Sequence, residues 1–222
     1  MSETPHQSSH FSMQGDGRYH GDDRFGGELA GMTLYVVRAL TQIDGFLGMG
    51  ELSRLTVRGG EQDLEVRVDF DGDFGVQVKG TLTSTGNHHA RPAERATATL
   101  GDEMKYVLDS VTEVPLVSGA FLVGAAGGVV ADKVPGLPED AIAGTGRRMK
   151  VAHDAFDRLL GATTLATTFE WGRLASAPVG DGIVVAIVDL ECDVPAFMQA
   201  AHLSGAVLTG VDLSALAKSA TV

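Results

Sequence analysis

Asp69, Asp71 and Asp73, at alternate positions, are the residues whose type and spacing come nearest to a metal-binding motif. A calcium loop opens with such acids, but it also needs glycine at its sixth place for a sharp turn and an acid at its twelfth to close the shell. Counted from Asp69, those places hold Phe74 and Gly80. The segment therefore reads as a solvated hairpin turn at Asp71-Gly72. His6, His10, His20, His88 and His89 fall in polar stretches and could offer neutral imidazole to a metal. No second set of ligands accompanies them, so exposed loop surface is the simpler reading. His153 lies instead on an apolar stripe, where a satisfied core or interface histidine is expected.

Phosphate chemistry needs glycines that open a helix after a strand, with a lysine or hydroxyl to finish the site. Gly124-Ala125-Ala126-Gly127-Gly128 leads into another strand, and Gly144-Thr145-Gly146 lies inside a helix. No nucleophile elbow and no zinc-protease histidine pair is present. No catalytic residue can be nominated, and neither a cofactor nor a metal is expected. What remains is Arg147, Arg148, Lys150 and Arg158 on one helix. They read as its solvated face, and they are also the one basic cluster open to an acidic protein partner.

That cluster stands against 17 Lys+Arg and 29 Asp+Glu, a formal charge of −12. Residues 1–100 hold 9 basic and 14 acidic side chains, leaving 8 and 15 for the remainder, so both halves are acidic. Nucleic acid is thus an unexpected partner. The lone Cys192 excludes an internal disulfide, suits a reducing compartment, and reads as a small buried hydrophobe. Val114 to Ala131 carries no charge over 18 residues, near the lower limit for a spanning helix. Pro115 and four glycines break it, so two strands around a glycine turn are expected rather than membrane insertion.

The elements that must position these residues follow from periodicity. Residues 1–10 read as a polar, disordered lead. His10 to Tyr19 forms a hairpin around Gly15-Asp16-Gly17, and a helix follows over 27–47, ended by Gly48 and Gly50. Strands follow at 52–58, 64–70 and 74–82; Leu64, Val66 and Val68 face one way while Glu65, Arg67 and Asp69 face the other. Residues 83–100 are polar and read as a linker. A helix at 101–113, a hairpin at 116–133, a helix from Pro138 to Leu160, strands at 164–171, 174–178 and 182–190, and a final helix capped by Asp193 complete the chain.

The order repeats. Leu29-Ala30-Gly31 overlays Ile142-Ala143-Gly144, and Leu47-Gly48 overlays Leu160-Gly161, both at an offset of 113 (142 − 29 and 160 − 47). Between them Leu29, Met32, Val36, Leu40, Ile43 and Leu47 correspond to Ile142, Thr145, Met149, His153, Phe156 and Leu160, the stripe of an amphipathic helix in each copy. Gly31 and Gly144 coincide inside helices, where glycine costs roughly 1 kcal/mol against alanine, and close helix packing is the expected reason.

The second copy, with Leu108-Asp109-Ser110-Val111-Thr112-Glu113-Val114 leading into Val117-Ser118-Gly119-Ala120-Phe121-Leu122-Val123, resembles the Roadblock/LC7 family over residues 101 to about 210. Residues 11–82 resemble a degenerate copy lacking the opening helix. At the first hairpin turn, where the family often carries Asp-Gly, the second copy has Ala126-Gly127-Gly128 and the first keeps Asp16-Gly17. The resemblance implies an α+β chain of two profilin-like domains, 11–82 and 101–222, forming an intramolecular pseudo-dimer. Leu29 to Leu47 would then pack beside Ile142 to Leu160, and Thr164 to Trp171 would pair with Leu52 to Arg58. It further implies a cytoplasmic, non-catalytic regulator or scaffold of a protein partner, either a small Ras-like GTPase, as in bacterial gliding and polarity systems, or a larger assembly. Further self-association stays open. The alternative is a small-molecule sensor of PAS or GAF architecture, which would need an apolar cavity of roughly 300 Å³ or more.

Overall fold

Alternating apolar residues set the strands of this protein, and the three-and-four stripe sets its long helices. The computed structural model describes residues 8–14, 18–21, 26–60, 62–69, 73–80 and 99–213. The chain opens with the hairpin β1 (Ser8–Met13) and β2 (Tyr19–Gly21), helix α1 (Gly26–Thr41) and the single turn α2 (Asp44–Leu47). The meander β3 (Leu52–Arg58), β4 (Gln62–Val68) and β5 (Phe74–Gly80) follows. Next come helix α3 (Leu100–Thr112), the hairpin β6 (Val117–Val123) and β7 (Val129–Lys133), and helix α4 (Glu139–Leu160). A second meander, β8 (Thr164–Phe169), β9 (Arg173–Val179) and β10 (Gly182–Val188), leads to helix α5 (Val194–Gly205) and a 3-10 turn at Ala206–Leu208.

The ten strands of the described residues join one antiparallel sheet in the order β2-β1-β5-β4-β3-β8-β9-β10-β6-β7. Counted inward from either edge, hairpin, last meander strand, middle strand and first strand come in the same order, so the α+β architecture has a two-fold pattern about its centre. At that centre β3 pairs with β8, Leu55 opposite Thr167 and Val57 opposite Leu165, as the resemblance implies. The uncharged stretch at Val114 to Ala131 is β6 and the start of β7, and no helix among the described residues is long and apolar enough to cross a membrane.

One face of the sheet carries α1 and α4. Leu55, Val57, Leu64, Val66 and Val76 of the first half join Leu165, Leu174, Ile183 and Val185 of the second in one continuous buried cluster with Leu40, Met149 and Phe156 of the helices. On the opposite face, α3 and α5 cover the second half, burying Val107, Val111, Phe197 and Ala201 against Ala175, Val184 and Ala186. No described helix covers that face of the first half. Arg54 and Arg67 are exposed there, which is the wet side that the alternation of β4 predicts.

Local differences from the expected elements have local causes. The helix expected over 27–47 tightens at Gln42-Ile43, where Ile43 N donates to Leu40 O at 3.0 Å, and α2 resumes at Asp44. Asp44 Oδ1 then accepts from Gly50 N at 2.6 Å, tying the turn to the approach to β3. Ser8 to His10, expected in the polar lead, pair with Lys79 to Gln77, because ladder hydrogen bonds need no apolar side chain. Thr99 and Leu100, expected in the linker, begin α3: the Thr99 hydroxyl accepts from Asp102 N, while the Asp102 carboxylate accepts from Thr99 N at 3.1 Å. This capping box holds the Asp102 carboxyl below its usual range, the Thr99 hydroxyl being the largest cause. The turns at Asp16-Gly17 and Asp71-Gly72, residues 1–7 and residues 83–98 lie outside the described residues.

Gly48 and Gly161 show how the repeat is written in the backbone. Both take φ +60°, and each donates its N–H to the residue four earlier, Asp44 O and Asp157 O. Both helices thus end on the left-handed cap that glycine adopts without strain. A different constraint acts at Gly182, where a Cβ would lie 2.0 Å from Val123 O. Gly182→Ala is expected to lower the unfolding free energy by roughly 3 kcal/mol or more, since backbone must shift to admit it. A urea titration of the variant checks this.

The paired helices as candidate functional site

The two stripes face the same core, so α1 and α4 lie side by side over the seam of the sheet. Phe46 of α2 packs directly on α4. A Cβ on Gly144 would lie 2.6 Å from its ring, so only glycine admits the ring there. Gly31, the corresponding glycine of α1, faces open space, and close packing does not account for it. The symmetry of the stripes is therefore not carried through to their outer surfaces.

Arg148 bridges the helices. Its Nη1 donates to Gly144 O at 3.0 Å, its Nη2 donates to Gln42 Oε1 at 2.7 Å, and the guanidinium stands 4.5 Å from the Phe46 ring centroid. Stacked and fork-bonded, it is a geometry lysine could not reproduce. Along this bridge runs an open depression of about 420 Å³ lined by Tyr35, Arg38, Ala39, Gln42, Arg147, Arg148 and Val151. Tyr35 is 60% exposed and Val151 39%, large apolar surfaces turned to solvent between arginines. Aromatic and arginine side chains around an apolar patch are the composition of interface hot spots.

The four basic residues picked out by sequence therefore separate. Arg147 is exposed and Arg148 half-buried in this depression. Lys150 is not on a solvated face: it is buried, and its Nζ donates to both Asp154 oxygens at 2.5 and 2.6 Å. Although Lys150 is only three residues from the exposed Arg147, it is buried, and its ammonium there needs that carboxylate. Arg158 is exposed near the end of α4, outside the depression. Sequence reasoning missed Tyr35, Arg38, Gln42 and Val151. The available signal was an aromatic, Tyr35, off the α1 stripe.

His153 is buried on the stripe as expected, at the place Leu40 takes in α1. It is not satisfied, however: its Nε2 finds no hydrogen-bond partner among the described residues. Burial pushes its pKa below 6.5; the carboxylates of Asp154 and Asp157 oppose that shift, and the charge of Lys150 adds to it. A group whose folded pKa is depressed leaves stability intact above the unfolded value. Stability is then lost as the pH falls from about 6.5 through the lower folded pKa. His153→Leu is expected to raise the melting temperature and to flatten this loss, as thermal unfolding of both proteins between neutral and mildly acid pH will test.

No described group of three or more His, Cys, Asp or Glu could hold a metal ion. His20 is exposed on β2, while His6, His88, His89 and Asp71 lie outside the described residues. Cys192 is buried, its Sγ 3.5 Å from Pro115 O, and burial raises its pKa. An inert structural thiol is the result.

No protein-family model matches the chain, and the comparison with curated proteins finds no match. Among solved structures it is similar to Myxococcus xanthus MglB, at 16% identity and a TM-score of 0.44 over 54% of this chain and 95% of that one. A gliding protein MglB from Thermus thermophilus is similar at 17% identity and 0.43, over 56% and 98%. An MglB with a tetrameric arrangement matches at 18% and 0.43, over 57% and 99%.

Proposed function

We propose that the chain is a non-catalytic platform for one protein partner, a small Ras-like GTPase, docked on the α1–α4 depression. On this reading residues 11–82 and 101–222 are two Roadblock/LC7-like copies, the first degenerate, and one chain supplies the pair of central helices. The observation that carries the reading is the depression itself: Tyr35 and Val151 exposed between Arg38, Arg147 and Arg148, directly over the β3–β8 seam. In a chain of charge −12 this basic strip suits an acidic protein surface. Any effect on GTP hydrolysis would come from positioning the partner's own groups.

A sensor would need an enclosed apolar cavity, and the depressions of about 500 and 420 Å³ are open, with polar groups such as Glu65, Arg67, Gln77 and Arg147 on their walls. The test is affinity capture from native cytosol with the tagged full chain, with and without a GTP analogue. A small GTPase retained by the native chain and lost with Tyr35→Ala supports the proposal. No GTPase above background, or equal capture by Tyr35→Ala, overturns it.

A further inference from the structure

The end of the sheet where β8 turns into β9 has a character opposite to that basic strip. Trp171, the one tryptophan of the chain, is 71% exposed there. Its backbone is held firmly: Trp171 N donates to Met49 O at 2.9 Å and Glu170 N to Glu51 O at 3.1 Å. A Cβ on Gly50 would lie 2.9 Å from Trp171 Cδ1, so the indole edge rests on bare backbone while the rest of the ring meets solvent.

Two leucines emerge from the neighbouring strand ends. Arg173 pairs with Val188 and Val188 with Val117, which sets Leu190 and Leu116 just past the ends of β10 and β6. Strand spacing spreads these three backbones over about 12–14 Å across the sheet, along one end of it. Leu190 is 40% exposed and Leu116 52%. Leu116 is also the only described non-glycine residue with positive φ, +68°, and its carbonyl accepts from Asp189 N at 2.9 Å. A residue with a Cβ stays in that region only where its surroundings hold it, so the backbone that carries this half-exposed leucine has a conformational cost.

Beside Trp171 lies a cavity of about 220 Å³ lined by Glu51, Leu52, Ser53, Val68, Asp69 and Glu170. Its three carboxylates have no ion pair among the described residues, and the nearby strand cations Arg54 and Arg67 are turned to Glu65, at 3.7 and 3.1 Å. A cation entering the cavity would bring these carboxylates the opposite charge that they lack among the described residues.

We infer that this end of the sheet is a second docking site, for a basic and partly apolar segment of a partner protein. A lysine or arginine head enters the carboxylate cavity, and apolar neighbours cover Trp171, Leu190 and Leu116. Trp171 supplies both the anchor and a face for the cation. The site is opposite in charge to the α1–α4 strip and shares no residue with it, so the two stand or fall separately.

Trp171 is its own reporter, being the only indole. The full chain, with a chelator present, is titrated with a short labelled peptide alternating leucine and arginine, and with its counterpart carrying glutamate for arginine. The basic peptide is expected to shift Trp171 emission to shorter wavelength, saturably and with sensitivity to salt, while the acidic one leaves it unmoved. Glu51→Gln with Glu170→Gln should weaken binding at least about tenfold while leaving the reporter in place. Trp171→Ala, followed by anisotropy of the peptide label, should weaken it about 30-fold. Emission unmoved by the basic peptide, or moved equally by the acidic peptide or in the charge-neutralised variant, overturns the inference.

Discussion

Phe156→Ala is expected to lower the unfolding free energy by about 3–5 kcal/mol, and to do so for the whole chain at once. Phe156 is fully buried on the α4 stripe, in a cluster that runs without interruption from Phe11 and Met13 of β1 to Ile183 and Val185 of β10. Removing its ring takes apolar surface out of burial and leaves a cavity that strands on both sides of the β3–β8 seam can close only in part. Two independent domains would confine such damage to one of two unfolding steps. A shared core spreads it over one. Urea unfolding followed by far-ultraviolet circular dichroism and by Trp171 emission should therefore give coincident single transitions, both displaced by the same amount. A variant in which only one signal moves would show that the halves unfold separately.

Tyr35→Ala is expected to weaken partner binding by about 30-fold or more, and Arg147→Glu to weaken it further. Tyr35 offers the largest apolar surface on the outward side of α1, 60% exposed, while the stripe residues Val36 and Leu40 are fully buried beneath it. Alanine keeps the helix and removes only the contact. Arg147→Glu reverses a charge that lies exposed in the same depression, so it adds repulsion against an acidic surface. Arg148 is a different kind of residue. Its bonds to Gly144 O and Gln42 Oε1 join the helices, and Arg148→Ala should lower stability as well as binding. Measuring melting temperature beside affinity separates the two: Tyr35→Ala and Arg147→Glu should melt within a few degrees of the native chain.

The sequence carried the central architecture because its signals were periodic and repeated. The 113-residue offset joined two glycine caps, and the structure ends both helices there with the same hydrogen bond. The burial of both stripes was legible for the same reason, whereas the pairing of β3 with β8 was expected from the Roadblock/LC7 resemblance. What escaped was set by tertiary contact. Nothing in the helical spacing of Arg147, Arg148 and Lys150 tells that one is exposed, one stacked on Phe46 and one buried on Asp154. Gly31 and Gly144 align in sequence, yet Gly144 faces the Phe46 ring while no described atom lies within 4 Å of a Cβ built on Gly31. Tyr35 and Trp171 were visible as single aromatics but had no periodicity to assign them, and their meaning comes from the neighbours the fold gives them.

The central claim is that one chain presents one complete platform. Titrating the full chain with the captured GTPase, loaded with a GTP analogue, and weighing the complex by light scattering tests it most directly. One GTPase bound per single chain, with the complex lost in Tyr35→Ala, is the expected result. Two chains required for each GTPase, or binding untouched by Tyr35→Ala, would contradict it.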